Sequence, residues 1–128
     1  VIIYSDVVLM YAEALNEVGR REEALTQLNR VKALANEITN VSTLYTAGTY
    51  LEMRSQIWTE RRIELCHLWD RYFDIVRQGR AATILHNLAS EQVWGRGKNY
   101  IEGIHELFPI PQTEVDVTNG VVEQNPGY

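Results

Sequence analysis

A chain of 128 residues with a net charge of −5 is long enough to bury a core and too acidic to track a nucleic-acid backbone, which needs a basic stripe. Its 45% hydrophobic and 23% charged residues suit a globular protein, and no apolar run approaches the roughly 20 residues that cross a bilayer. The lone cysteine, Cys66, excludes an internal disulfide framework and a Cys-rich zinc site; its apolar helical context predicts a small buried residue.

The start, Val1-Ile2-Ile3-Tyr4-Ser5-Asp6, has neither an initiating Met nor the basic region of a signal peptide, so the chain reads as a piece of something longer. Ser5 or Asp6 is expected to cap a first helix, whose apolar residues Val7, Tyr11, Ala14, Leu15 and Val18 recur at helical spacing. Gly19 supplies the left-handed residue that ends it. Glu22 and Glu23 open a second helix, with Ala24, Leu28, Val31 and Ala35 facing inward and Leu25 and Leu34 flanking. So short a connection makes the two helices an antiparallel hairpin over 1–38. Small residues at Ala12, Gly19 and Ala24 give it a tetratricopeptide-like character.

Asn36 to Gly48 has no period and reads as a loop; Asn40-Val41-Ser42 within it matches a glycosylation acceptor by chance. Thr49 and Glu52 form a capping box for a helix through Ile57, Trp58, Arg61 and Leu65. A break near Leu68 to Asp70 precedes a further helix through Tyr72, Phe73 and Val76 to Gly79, then a short piece over Ala81 to Leu88. The span 49–89 thus reads as braced helices and 90–128 as an irregular tail. In that tail the prolines of Phe108-Pro109-Ile110-Pro111 enforce extended backbone, Thr113 to Val117 makes one turn, and Asn119-Gly120 and Asn125-Pro126-Gly127 are tight turns. The whole is expected to be a single all-α domain of tetratricopeptide-like helical hairpins with a long irregular C-terminal segment.

The densest chemistry lies in Glu60 to Gly79, where arginines alternate with acids among large aromatics. Glu60, Arg61, Arg62, Asp70, Arg71, Asp74 and Arg77 can be a carboxylate-binding cluster, but the chain supplies both partners of each pair, which favours a structural ion-pair brace between helices. Two Glu-x-x-His pairs, Glu64 with His67 and Glu102 with His105, together with Glu13 and Glu17, imitate a di-metal ligand set. Gly103 and Pro109 place the second pair outside a helix, so no metal is expected. Trp94, Asn99 and Tyr100 carry the aromatic and amide character of sugar recognition, with loop pinning as the other role open to them. Trp58 and Trp69 are expected in the core. Neither a nucleophile elbow nor a phosphate loop occurs around the available Ser, His and Gly residues, so no enzyme and no cofactor are expected.

Four blocks in order, Tyr4–Gly19, Glu22–Ala35, Glu60–Ala81 and Leu107–Tyr128, resemble the C-terminal part of SusD/RagB-type proteins. These are outer-membrane lipoproteins of Bacteroidetes. Where that family often has Glu-Gly, this chain has Leu68-Trp69. The resemblance implies surface capture of glycans or other nutrients, a SusC-like TonB-dependent transporter as partner, and a lipid anchor outside this chain. From the residues alone, the other reading is a tetratricopeptide-type protein–protein interaction module.

Overall fold

A computed structural model of the chain describes residues 3–39, 43–68, 70–90 and 97–128. Among these residues there are six α-helices and no strand, as the all-α expectation requires. The chain divides into two compact units, Val1–Arg71 and Tyr72–Tyr128.

The first unit holds α1 (Tyr4–Glu17), α2 (Arg21–Thr39) and α3 (Tyr50–Glu64), packed around one core. Helix α1 starts earlier than its capping residues predict. Ile3 occupies the cap position with no side-chain hydrogen bond, while Ser5 and Asp6 lie inside the first turn. The inward face also differs from the expected one: Val8, Leu9, Ala12, Leu15 and Asn16 are buried, whereas Val7, Tyr11 and Val18 are 46%, 49% and 69% exposed. Apolar residues surround most of α1, so two faces one residue apart, about 100° of rotation, satisfy the same spacing. The face with Ala12 wins, bringing a small residue into the same cluster as Ala24 of α2 and allowing close helix approach.

The turn after α1 follows the Schellman pattern. Arg20 N donates to Leu15 O (2.8 Å), Gly19 N donates to Asn16 O (3.0 Å), and Gly19 has φ +81°. Helix α2 buries Ala24, Leu28 and Val31 as its spacing predicts, and leaves Leu34 exposed. It runs to Thr39, through the segment expected to be loop. Asn36 does not break the helix because its side chain is used elsewhere: Nδ2 donates to Thr43 O at 2.8 Å.

The capping box forms in full. Thr49 Oγ1 accepts from Glu52 N (3.3 Å) and Glu52 Oε2 accepts from Thr49 N (2.7 Å). Met53 and Ile57 then complete the core begun by Leu9, Leu15 and Leu28, with Leu25 and Tyr45 against its edge. Helix α3 ends at Glu64, and Leu65 is buried at its cap. Cys66 is exposed, contrary to its expected burial, because it follows the helix end and no longer shares the inward-facing period.

Helix α4 (Arg71–Arg77) opens at the unit boundary; α5 (Ala81–Ser90) and α6 (Gln112–Val117) follow in the second unit. Its core is small: Ile75, Ala81 and Tyr100, with Tyr72, Val76, Ile84 and Leu85 half-buried around them. Gly97 is required where the chain passes α5. Its φ is +88°, and a Cβ there would lie 2.4 Å from the Leu85 carbonyl oxygen. The extended Pro109–Pro111 segment is paired by side chains instead of a sheet: Ile110 N donates to Gln124 Oε1 (2.7 Å), and Gln124 Nε2 donates back to Ile110 O (2.8 Å). Asn125 Nδ2 and the Tyr128 hydroxyl donate to Phe108 O (2.7 Å) and Leu107 O (3.0 Å). The Asn119-Gly120 turn is present, with both residues at positive φ. Trp69, Trp94 and Asn40-Val41-Ser42 lie outside the described residues.

Truncating Ile57, which is fully buried, to Ala should cost about 2–5 kcal/mol in chemical denaturation. Leu34→Ala on the exposed side of α2 should change stability by less than about 0.5 kcal/mol.

Candidate functional site

The ionic residues of α3 are organised by its period. Glu60 and Arg61 are consecutive, so they point about 100° apart and reach different neighbours. Glu60 is fully buried, and its Oε2 accepts from the Tyr45 hydroxyl (2.9 Å) and from Lys32 Nζ (3.3 Å). Its Oε1 is buried without a hydrogen-bond partner. Arg61, also buried, donates from Nη1 to Asp6 Oδ1 at 2.8 Å, joining α3 to the first turn of α1. Tyr45 is held in place by a two-way backbone clamp: Asn29 Nδ2 donates to Tyr45 O (2.9 Å) and Tyr45 N donates to Asn29 Oδ1 (2.8 Å). Burial, and then the hydrogen bond to the Glu60 carboxylate, hold the Tyr45 phenol well above its ordinary pKa.

The remaining members of the expected brace divide between the two units. Arg62 and Asp70 are exposed and Arg71 half-buried in the first unit. In the second, Asp74 is buried and Oδ1 accepts from Arg77 Nη2 (2.9 Å) within one turn of α4. Lys32 and Tyr45, which engage Glu60, were not among the sequence candidates. Lys32 sits one turn after Leu28 at the edge of the buried row of α2, where a lysine ordinarily lays its stem on the apolar face with its ammonium in water, so its pairing with Glu60 left no distinct signal in the sequence.

The acids offered for a di-metal set are engaged by α3 instead. Glu13 Oε1 accepts from Trp58 Nε1 (2.9 Å), and Glu17 accepts from Arg54 Nε (2.9 Å) and from the Tyr50 hydroxyl. Trp58 is half-buried, with the Arg54 guanidinium 5.5 Å from its ring centre. Glu102 and His105 lie in turns, where His105 Nδ1 accepts from Ile101 N (2.8 Å). Among the described residues, no group of three or more His, Cys, Asp or Glu could hold a metal ion.

Of the three loop candidates for ligand contact, Trp94 lies outside the described residues, Asn99 is exposed on the 97–99 turn, and Tyr100 is turned into the second core. The Tyr100 ring packs edge-on to His105 (5.7 Å) and His86 (6.5 Å). Burial first, then the neighbouring Glu106 carboxylate, raises the Tyr100 phenol well above its ordinary pKa. Glu106 is held below the carboxylate range by the backbone N–H groups of Gly103 and of Glu106 itself. The Tyr72 hydroxyl donates to the His105 carbonyl, and the Tyr72, Phe73 and Phe108 rings lie within 5.6–6.1 Å of one another. A shallow cleft of about 200 Å³ opens over Lys32, Thr43, Leu44 and Tyr45 in the first unit.

Comparison with known proteins gives a match to the SusD family model over residues 1–128. The chain is 29% identical over 131 aligned positions to SusD-like protein P2 of Formosa agariphila, covering 98% of this chain and 25% of that protein. It is 31% identical over 87 positions to SusD-like protein P38 of the same organism, covering 64% of this chain and 17% of that one. The chain thus spans a quarter or less of the length of these relatives. No solved structure gives a significant match.

Arg61→Ala leaves the Asp6 carboxylate without its buried cation and should cost about 3 kcal/mol of stability in chemical denaturation, with Arg61→Lys restoring only part because the planar donor fork is lost. In a spectrophotometric titration, Tyr45 and Tyr100 should stay protonated past about pH 10, where exposed tyrosines ionise. Both folded values are raised, so their contribution to stability is complete below about pH 10 and is lost as pH climbs toward the folded values. Tyr45→Phe and Tyr100→Phe should each flatten that alkaline loss.

Proposed function

The chain belongs to the SusD family, and on that premise we propose that it forms part of a cell-surface protein that captures glycans or other nutrients for uptake through a TonB-dependent outer-membrane transporter. The family match along the whole chain is the observation that carries this reading. The internal pairing of the ionic residues supports binding over catalysis. Glu60, Arg61, Asp74 and Arg77 have partners within the chain, as a scaffold requires, and the exposed polar groups of the 97–99 turn are free to meet a ligand. No helix among the described residues is long and apolar enough to cross a membrane.

A second reading, a tetratricopeptide-type docking module, is supported by the exposed row Tyr4, Val7 and Tyr11 along α1, which has the three-and-four spacing that a partner helix reads. Calorimetric titration with a panel of neutral and acidic oligosaccharides, run beside a binding assay with the candidate transporter, separates the two. Capture predicts saturable binding of at least one oligosaccharide and no shortened product by chromatography. Turnover of the bound sugar would overturn the reading, as would transporter binding with no oligosaccharide or other nutrient bound.

A further inference from the structure

We propose that the cleft over Lys32, Thr43, Leu44 and Tyr45 is a subsite for one neutral sugar ring, an inference that rests on the capture reading and assigns it a place on the first unit. Its volume of about 200 Å³ lies below the roughly 300 Å³ at which pockets for drug-sized ligands begin, so it suits a single ring and not a chain.

The walls are pre-organised. Asn29, Lys32 and Asn36 lie on successive turns of α2, and Asn29 and Asn36 pin the backbone of Tyr45 and Thr43 through three hydrogen bonds of 2.8–2.9 Å. Thr43 and Tyr45 therefore meet a ligand with their backbone already held, which reduces the ordering cost of weak binding. Behind the wall, Glu60 fixes two of the polar groups, the Tyr45 hydroxyl and the Lys32 ammonium. The Tyr45 hydroxyl donates its hydrogen bond to Glu60, which leaves the phenol oxygen's lone pairs as an acceptor. Lys32 gives one N–H to Glu60 and keeps two donors, and its ammonium stands 5.7 Å from the centre of the Tyr45 ring. Thr43 adds an exposed hydroxyl, and Leu44 adds exposed apolar surface. Donors, an acceptor and an apolar surface in one small cleft match adjacent hydroxyls and a C–H face.

Charge selects the ligand class. The ammonium is already paired with a carboxylate that has no exposed surface, so the local charge sums to zero. An anionic ligand would compete with Glu60 for Lys32 and leave a buried carboxylate uncompensated. A neutral polyol uses the two spare donors without disturbing the pair.

The test is residue-resolved NMR of the isotope-labelled chain, titrated with D-glucose, D-galactose and D-glucuronate. The neutral sugars should shift the amides of Lys32, Leu44 and Tyr45 with millimolar saturation, and glucuronate should bind no more tightly than glucose. Thr43→Trp, at an exposed position, should block the cleft and weaken binding at least about tenfold at unchanged melting temperature. As a second variant, Thr43→Val should weaken it by a smaller factor of about 2–10, the loss of one hydrogen bond. Sugar-induced shifts confined to other residues, a preference for glucuronate, or insensitivity to Thr43→Trp would each overturn the cleft assignment while leaving capture intact. If no sugar shifts any amide, the cleft assignment also falls, and the oligosaccharide calorimetry decides capture separately.

Discussion

A carboxylate with no exposed surface is tolerable only if its charge is met within the protein, and Glu60 places that demand on the first unit. Lys32 from α2 and Tyr45 from the loop before α3 meet it at a single oxygen. The next residue, Arg61, makes the corresponding demand on α1 through Asp6. Two adjacent positions of one helix thus fix the register of all three, because consecutive helical side chains diverge by about 100°. The apolar core of Leu9, Leu28, Met53 and Ile57 supplies the larger share of the stabilisation, but apolar contact is non-directional. The ionic pairs tie particular residues together, so that Asn29 meets Tyr45 and holds it against α2.

Much of this was legible in the sequence wherever the signal was local. Gly19 and the Thr49–Glu52 box act within four residues of themselves, and both formed as read. The inner row of α2 was equally plain, since only one of its faces is continuously apolar. Helix α1 was ambiguous for the opposite reason. Its apolar residues exceed what one face requires, and the choice between faces was made by a neighbour, through the meeting of Ala12 with the Ala24 side of α2. Asn36 misled because an amide in a sequence reads as a helix breaker, whereas here it ties the helix to Thr43, a partner seven residues away. Cys66 was misjudged by two residues of helix length.

The ionic stretch shows a further limit of sequence reading. Its arginines and acids alternate so regularly that pairing inside the stretch looks sufficient, and Asp74 with Arg77 does pair that way. Glu60 and Arg61 instead reach partners 28 and 55 positions away. A chain can display the charges that need partners, but not which distant residue the fold delivers to them. Lys32 gave no more away, because lysines commonly flank a buried row with their stems on it and their ammonium in water.

The second unit solves a different problem with the same chemistry. Its core is too small to order a long tail by burial, and the two prolines of the extended segment remove the donors a sheet would need. Side chains take the place of a strand. The amide of Gln124 occupies both backbone positions of Ile110, while Asn125 and Tyr128 satisfy the carbonyls of Phe108 and Leu107. Each of these contacts bridges 14 to 21 residues, so the tail is closed into loops by a few specific hydrogen bonds and not by a continuous surface. Such an arrangement leaves side chains at the surface that burial would hide: Leu107 and Phe108 stay exposed although their carbonyls are held by Tyr128 and Asn125.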